Sequence, residues 1–200
     1  QYSNKIVENN IYSRTQFFTE KYMIDYLVDN ISEIQYADKI VDPCMGGGNF
    51  LVECYETLCS NCETENIESF VISNADKLYG YDIDVSITRV ALVNIKLRAL
   101  AILSRKFNSV SFEVWDNITP HIYMSVSKDE ICGSLAVDDR KVVDIITGER
   151  TTILKALGEA DIILTNPPFA TTKGMKQEQK DFLKESYPDA NCDMCVSYFD

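Results

Sequence analysis

Short apolar runs recur along the chain, and each is followed by a polar or glycine-rich turn. Four of these runs have the length and composition of strands: Lys39–Asp42, Lys77–Asp82, Ser109–Trp115 and Asp161–Thr165. The last run is too short for a helix and ends at two prolines, which remove backbone donors. Helical spacing separates the runs, so the pattern predicts an α/β fold with a mostly parallel sheet.

Apolar residues at helical spacing predict the helices around these strands. The first helix follows Thr19, a favourable N-cap residue, and carries a stripe made of Met23, Ile24, Leu27, Val28 and Ile31. Asp84 is predicted to cap the helix over Arg89–Leu103, whose apolar face comprises Val90, Val93, Leu97 and Leu100. Further helices are predicted over Glu53–Ser60, Thr151–Leu157 and Gln177–Ser186.

The alternation of strands and helices is interrupted between Pro120 and Gly148. Two apolar runs, SLAV and KVVDII, flank the polar residues Asp138, Asp139 and Arg140, which predicts a β-hairpin insertion with a polar tip. The strand-like run Ile122–Val126 could join this hairpin. No pattern in this stretch indicates chemistry.

The chain is strongly acidic, with a formal net charge of −12 and a pI near 4.5. A protein that binds duplex DNA unaided normally presents a basic face, so most of the attraction for a nucleic acid would have to lie elsewhere. Two basic stretches run against this trend. The first, with Arg89, Lys96, Arg98, Arg105 and Lys106, is most simply a solvated helix face. In the second, with Lys173, Lys176, Lys180 and Lys184, a phosphate contact is as plausible as a solvated face.

Cysteine content and hydropathy narrow the cellular context. The cysteines number seven, an odd count without the spacing of a small disulfide scaffold, which indicates a reducing compartment and predicts a cytoplasmic protein. The pairs Cys59/Cys62 and Cys192/Cys195 lie far apart and His121 is the only histidine, so we predict no metal site. No apolar run reaches the roughly 18 residues of a transmembrane span.

The first predicted strand ends at Asp42, and the turn after it contains Gly46, Gly47 and Gly48. A strand, a glycine turn and a helix form the nucleotide-binding arrangement, in which a ligand approaches the backbone near a helix N-terminus. Leu51 stands where the dinucleotide fingerprint requires glycine, and no Gly-Lys-Ser/Thr follows, so neither that site nor a P-loop is predicted. The Asp42 carboxylate suits a cofactor with ammonium and sulfonium groups better than one with pyrophosphate.

Polar side chains also follow the second and third predicted strands. Asp82 offers two acceptors to a ribose diol, and Ile83 offers an apolar surface to a base. Asp116 could accept a hydrogen bond from an adenine amino group, although an Asx-turn explains this residue equally well. Carboxyl ends of parallel strands lie together, so these groups are expected at one edge of the sheet.

The fourth predicted strand runs into Asn166-Pro167-Pro168-Phe169. The Asn166 amide, the Pro167 carbonyl on a rigid backbone and the Phe169 ring suit a flat ring that carries an amino group. Taken alone, these four residues could also be a proline-stiffened loop with an Asn turn. The segments that precede them decide between the two interpretations.

Five segments in the order FFT, DPCMGGGNF, YGYDID, WDN and NPPF resemble those of the amino-methylating DNA methyltransferases. More specifically, they resemble the N6-adenine type, which includes modification subunits of type I restriction systems and fused restriction–modification enzymes. The resemblance covers roughly residues 14–50, 77–84, 113–117 and 160–170. It implies a Rossmann-like fold that binds S-adenosylmethionine, with the four strands in the spatial order 3-2-1-4.

The resemblance implies roles for individual residues. Near the methionine end of the cofactor would lie Gln16, Phe18 and Thr19. The same cofactor would be lined by Asp42, Cys44, Met45 and Gly46, with Asp82 at its ribose and Ile83 and Asp116 at its adenine. The catalytic segment would comprise Asn166, Pro167, Pro168 and Phe169, with the ring stacking on the target base. Glu20 stands where the family often has proline, and Cys44 replaces its usual small residue.

The implied activity is methyl transfer from S-adenosylmethionine to the N6 amino group of adenine in double-stranded DNA, in a restriction–modification or phage-defence system. The target base would leave the duplex to react. Two alternatives stay open. The chain could methylate another planar amine, in a protein glutamine or an RNA base, or it could be a catalytically silent cofactor-binding module.

The resemblance also implies how the chain is organised. Residues 1–35 are expected to form an N-terminal helical segment with the FFT motif, and residues 36–200 part of the catalytic domain, with the insertion at about 120–148. Because the chain begins at Gln1, we expect a truncated piece of a longer protein, without the later strands and the target-recognition domain, and inactive alone. Implied partners are double-stranded DNA, a specificity subunit or fused recognition domain, and a restriction subunit, with no membrane.

Overall fold

A computed structural model describes residues 19–60, 66–107, 110–126, 132–135, 140–169, 175–190 and 193–198. The helices are α1 (Lys21–Asp29), α2 (Asn49–Ser60), α3 (Ile67–Ala75), α4 (Val85–Ser104), α5 (Val114–Asn117), α6 (Ile153–Leu157) and α7 (Gln177–Ser186). The strands are β1 (Ile40–Asp42), β2 (Leu78–Asp82), β3 (His121–Ser125), β4 (Lys141–Asp144), β5 (Arg150–Thr152) and β6 (Ile162–Ile163). No helix in these ranges is long and apolar enough to cross a membrane.

The strands form one six-stranded sheet in the order β5-β4-β3-β2-β1-β6. Strands β3, β2, β1 and β6 pair in parallel, which confirms the α/β class; the order is the predicted 3-2-1-4, but with β3 in place of the predicted third strand. Strands β4 and β5 add an antiparallel hairpin beside β3. Within the described residues β6 pairs with β1 alone, and Ile163 is 63% exposed along this edge of the sheet.

Alternate residues of the parallel strands enter two cores, one on each face of the sheet. On one face, Ile40, Leu78 and Ile122 pack with residues of helices α1 to α4. On the other face, Val41 and Tyr81 pack with residues of α6. Burial on both faces explains why these strands read as continuous apolar runs in the sequence.

The predicted third strand over Ser109–Trp115 is wrong. Val114 and Trp115 belong to the short helix α5, and the third parallel strand is β3. Only part of this stretch packs onto α4: Val114 is buried and the Lys96 amine donates to the Trp115 carbonyl oxygen at 2.7 Å, whereas Phe112 is 72% exposed. A turn that covers a helix also has one buried and one exposed side. A short alternation of apolar and polar residues therefore does not distinguish such a turn from a strand.

The predicted hairpin exists but lies further along the chain. The turn between β4 and β5 spans residues 145–149, and in it Asp144 accepts the amides of Ile146 and Thr147 at 2.8 and 2.9 Å. Ser134 and Leu135 of the run SLAV belong to the short 3-10 helix Gly133–Leu135, and residues 136–139 lie outside the described residues. The run Ile122–Val126 supplies β3, which pairs with β2 on one side and with the hairpin on the other.

Helix α4 buries a different face from the predicted one. Its buried residues include Ala91, Ile95 and Ala99, whereas three predicted core positions are exposed: Val90 at 46%, Val93 at 42% and Leu97 at 52%. Small alanine side chains let the neighbouring turn and helices approach α4 closely, which the apolar count alone does not reveal. The prediction for Asp84 is confirmed, because its side chain caps α4 by accepting the Ser86 amide at 2.8 Å.

Helix α1 begins one residue later than the predicted cap implies. Glu20, not Thr19, occupies the N-cap position. Ile24 and Val28 are buried, whereas two other residues of the predicted stripe are exposed, Met23 at 46% and Leu27 at 43%. The Thr19 hydroxyl therefore serves another contact than helix capping.

The first basic stretch serves the fold itself. Arg98 of α4 and the C-cap residue Arg105 both pair with Glu56 of α2, with an N–O distance of 3.0 Å for Arg98. Lys96 is only 7% exposed. These three cations join secondary structure elements to one another, so they differ from the solvated helix face that the sequence predicts.

Gly48 packs the glycine turn directly against α4. Its φ is +77°, and an added Cβ would lie 3.0 Å from the Ala91 Cβ. We expect Gly48→Ala to lower the free energy of unfolding by roughly 2–4 kcal/mol, because it combines a left-handed backbone with overpacking. Urea denaturation measures the change.

The matched control is Gly148→Ala in the hairpin turn. Gly148 has φ +72°, but nothing lies within 4 Å of an added Cβ. The free energy of unfolding of this variant should fall only by the cost of the left-handed backbone, roughly 1 kcal/mol. Equal losses in the two variants would contradict the importance of the Ala91 contact.

Candidate active site

The carboxyl ends of β1, β2 and β6 meet at one edge of the sheet and border a pocket. Predicted residues from three separate segments line it: Cys44 and Gly46 after β1, Asp82 and Ile83 at β2, and Asn166, Pro167, Pro168 and Phe169 after β6. Gln16 and Phe18 lie outside the described residues. Strand order reverses at β1, and such a switch point is where open α/β sheets bind ligands.

Hydrogen bonds hold the glycine turn against the end of β2. The Gly46 amide donates to Asp82 Oδ2 at 2.9 Å, and the Met45 amide donates to the Tyr81 carbonyl oxygen at 3.0 Å. Gly46 has φ +50°, and nothing lies within 4 Å of the position that a Cβ would take. The backbone conformation and the open space together allow a ligand to approach the main chain here.

Asp82 is buried, and both of its carboxylate oxygens accept backbone amides. Besides the bond from Gly46, the Asp84 amide donates to Oδ1 at 2.9 Å. Burial raises the pKa of Asp82, and the two amides oppose that rise. Each carboxylate oxygen has a second lone pair, so Asp82 can also accept hydrogen bonds from a ligand in the pocket.

Asp42 lies behind the pocket lining instead of on its surface. The residue is 1% exposed, and its carboxylate accepts the Cys44 amide at 3.1 Å. Burial raises the pKa of Asp42 to about 7, and the nearby Asp82 charge acts in the same direction. A cation that enters the pocket would favour the ionised form of Asp42.

Two residues predicted to bind the cofactor are placed elsewhere by the fold. Met45 is 4% exposed, and its thioether covers Gly80, where an added Cβ would collide with it. Asp116 lies in α5, before β3 begins, and hence at the amino-terminal edge of the sheet, opposite the pocket. The prediction for Asp116 is wrong because it depended on the misassigned third strand.

The Asn166–Phe169 segment forms the pocket wall beyond β6. Asn166 Nδ2 donates to Thr19 Oγ1 at 2.9 Å. Pro167 is buried, whereas Phe169 lines the pocket and is still 51% exposed. An amide, a backbone carbonyl and an accessible ring can offer a planar base two acceptors and a stacking surface.

A segment that the sequence analysis missed completes the pocket. Cys132, Gly133 and Ser134 line it, together with Met194 and Tyr198. Ser134 Oγ donates to the Pro43 carbonyl oxygen at 2.6 Å and lies 2.9 Å from the Tyr198 hydroxyl. Gly133 and Ser134 cannot be placed at the pocket from the sequence pattern, because that pattern assigns the third strand to Ser109–Trp115. With the third strand at β3, the two residues follow the carboxyl end of that strand.

The Cys44 thiol faces this polar group. Its Sγ lies 3.7 Å from Ser134 Oγ. Burial raises the pKa of Cys44 to about 12, so the thiol stays protonated near neutral pH. Cys44 is therefore part of the pocket wall and has none of the character of a nucleophile. Within the described residues no cluster of His, Cys, Asp and Glu could hold a metal ion.

The fold and the pocket together define the class of this domain. A parallel sheet of order 3-2-1-4 with a glycine turn after its first strand is Rossmann-like. Residues 15–199 match the family described as MmeI, DNA-methyltransferase domain. The chain therefore belongs to that family, which confirms the predicted resemblance at the level of a DNA-methyltransferase domain.

One solved structure that the chain resembles is described as the ATP-dependent Type ISP restriction-modification enzyme LlaBIII bound to DNA. The match has 17% sequence identity and a TM-score of 0.48, and it covers 77% of this chain and 10% of that chain. The chain thus spans about a tenth of the length of that enzyme. No curated protein matches the sequence.

Asp42 should make the stability of the ligand-free protein depend on pH. Between its ordinary pKa of 3.8 and the folded value of about 7, the folded protein binds more protons than the unfolded one. Stability should therefore fall as the pH rises through this window, and Asp42→Asn should flatten the fall. Denaturation midpoints measured across the window test this expectation.

The control for this experiment is Asp161→Asn. Hydrogen bonds from the amides of Asp38 and Lys39 lower the pKa of Asp161. The stabilisation by the ionised Asp161 carboxylate is present above its ordinary pKa. It is lost as the pH falls through the lower pKa of the folded protein. The control should therefore lower stability at neutral pH and keep the decline between 3.8 and about 7. An unaltered decline in Asp42→Asn would show that another group causes it.

Proposed function

We propose that this domain transfers a methyl group from S-adenosylmethionine to the N6 amino group of adenine in double-stranded DNA, within a restriction–modification or phage-defence enzyme. The observation that carries the proposal is the presence of the Asn166–Phe169 segment and the glycine turn in one pocket. Membership of a DNA-methyltransferase family supports DNA as the substrate.

The glycine-turn end of the pocket fits S-adenosylmethionine. A Cβ at Gly46 would fill open space beside the backbone, which suits the close approach of a ligand. The remaining lone pairs of Asp82 suit ribose hydroxyls, and Ile83 and Ile87 provide apolar surface for a base. When bound, the cofactor supplies an electrophilic methyl group on a positively charged sulfur.

The buried carboxylates favour a cationic cofactor over an anionic one. Asp42 and Asp82 lie at the ends of adjacent strands, and burial raises the pKa of each. A positive charge nearby would offset the desolvation of the ionised groups, whereas a pyrophosphate would increase the repulsion.

Asn166 and Pro167 act on the amino group of the target base. An exocyclic adenine amine is a poor nucleophile because its lone pair is delocalised into the ring. The Asn166 side-chain oxygen and the Pro167 carbonyl oxygen accept its two hydrogens and favour a pyramidal nitrogen with the lone pair directed at the methyl group. The same two acceptors stabilise the positive charge that develops on the nitrogen.

Phe169 offers the stacking surface for a base that has left the duplex. Unstacking a base costs a few kcal/mol, and stacking on an aromatic ring offsets part of that cost. The exposure of the ring, 51%, leaves its surface accessible to a base entering from the solvent side.

The acidic chain implies a further source of affinity for DNA. A formal charge of −12 opposes binding to a polyanion. A fused recognition domain or a specificity subunit would supply most of the contacts to the duplex, and a restriction subunit is a further partner in this proposal. The pocket residues would then act on the single base presented to them.

Asn166→Ala in the complete protein should lower the rate of DNA methylation by 100-fold or more, on the order expected for loss of a preorganised group. Methyl transfer from labelled S-adenosylmethionine, followed by nucleoside analysis, measures rate and product. Asn30→Ala is the matched control, because Asn30 is exposed and its side chain bonds the Tyr26 carbonyl oxygen of its own helix.

The product analysis also separates the alternatives. N6-methyladenine that disappears in Asn166→Ala supports the proposal. Label in RNA or in a peptide glutamine, and none in DNA, would favour another planar amine as substrate. Cofactor binding without transfer to any of the three would favour the silent module.

Helix α7 carries a lysine face in an otherwise acidic chain. The N-cap residue Lys176 and the helix residues Lys180 and Lys184 recur every four residues, and we call them the α7 lysines. Three acidic residues lie off this face: Glu178, Asp181 and Glu185. The helix follows the Asn166–Phe169 segment along the chain. A phosphate-binding role for this face fits the proposed substrate.

Replacing the three α7 lysines with glutamine should weaken DNA binding by the complete protein. The slope of log K against log salt concentration should fall by about 0.9 for each phosphate that the variant no longer neutralises. A matched triple replacement uses exposed lysines outside α7: Lys106, Lys141 and Lys155. Equal slopes in the wild type and the α7 variant would exclude this face from the DNA interface.

A further inference from the structure

We propose that Thr19 is a positioning residue that sets the orientation of the Asn166 amide. This inference rests on the proposed function, in which Asn166 presents its side-chain oxygen to the target amine. The two residues are 147 positions apart in the chain, and Asn166 Nδ2 donates to Thr19 Oγ1 at 2.9 Å. The resemblance also predicts Thr19 near the methionine end of the cofactor, which stays a prediction.

With Oγ1 as the acceptor, the hydrogen bond holds the amide with its Nδ2 edge toward Thr19. Nitrogen and oxygen of a carboxamide lie on opposite sides of the same planar group, so directing Nδ2 at Thr19 directs Oδ1 away from it. In the reversed orientation the target amine would meet an N–H donor in place of an acceptor. Two donors facing each other cannot hydrogen-bond, and the lone pair of the amine would lose its alignment.

Thr19 is suited to this role by its place in the fold. It does not line the pocket beside the glycine turn; it lines a separate depression between α1 and α2 with Glu20, Lys21 and Asn49. The N-cap position of α1 belongs to Glu20, so the hydroxyl has no capping function.

Thr19 directly precedes α1, a helix that is well packed in the core. Ile24 and Val28 of α1 are 4% and 0% exposed in the main core. A polar group at the start of such a helix keeps a defined position relative to β6, which is what orienting an amide requires. The hydrogen bond thus links the N-terminal helix to the catalytic segment.

The test compares Thr19→Val, which removes the hydroxyl and keeps the shape, with Thr19→Ser, which keeps the hydroxyl. In the complete protein, Thr19→Val should lower kcat for DNA methylation by on the order of 10- to 100-fold, as expected for a misplaced catalytic group. The Kd for S-adenosylmethionine and the KM for DNA should change less than about threefold, since Thr19 does not line the proposed pocket. Thr19→Ser should restore kcat to within about threefold of the wild type.

Two further variants complete the design. Thr57→Val is the matched control, because the Thr57 hydroxyl bonds the Glu53 carbonyl oxygen within α2. Thr19→Ala removes the hydroxyl without adding a branched apolar group and replaces Thr19→Val if that variant does not fold. Thermal unfolding of each variant separates a loss of folding from a loss of positioning.

The outcomes distinguish this inference from the proposed function. A Thr19→Val protein with wild-type kcat, or one whose main defect is a weaker Kd for S-adenosylmethionine, would overturn the positioning role. A kcat that stays low in Thr19→Ser would overturn it as well. Retention of full activity in Asn166→Ala would instead overturn the proposed function itself.

Discussion

The pocket depends on the hydrogen bond from the Gly46 amide to the Asp82 carboxylate. This bond joins the turn after β1 to the end of β2, and the same carboxylate also accepts the Asp84 amide at the start of α4. A buried carboxylate needs such donors, because an unsatisfied charge away from water is strongly destabilising. The donors that satisfy Asp82 therefore also determine the shape of the turn, and one interaction serves both stability and the geometry of the site.

The opposite wall of the pocket is built from elements that are distant in the chain. The segment after β6 contributes Asn166, whose amide is held from behind by Thr19, and Tyr198 reaches Ser134 at 2.9 Å. Parallel strands bring their carboxyl ends to a single edge, and the packed helices then hold these side chains relative to the glycine turn. Two prolines follow Asn166 directly and restrict its backbone on the side away from the strand.

Charge is distributed in a way that suits two different ligands. The buried carboxylates Asp42 and Asp82 lie at the glycine turn, where a cationic cofactor would relieve the unfavourable desolvation of both. Arg98 of α4 and the C-cap Arg105 pair with Glu56, and Lys96 packs onto Trp115, so these three cations serve contacts within the fold. Attraction for DNA in the proposed function must then come from α7 and from parts of the protein other than this acidic surface.

The sequence by itself determined the α/β class, the glycine turn after β1, the acid at the end of β2 and the Asn-Pro-Pro-Phe segment after β6, because each is a local pattern in contiguous residues. The resemblance added the strand order. Only the tertiary structure decided which run forms the third strand, that Asp116 lies at the far edge, which face of α4 is buried, and that Ser134 and Tyr198 border the pocket. These features depend on which segments pack together. A short apolar run can be buried either as a strand or against a helix, and its sequence pattern does not distinguish the two.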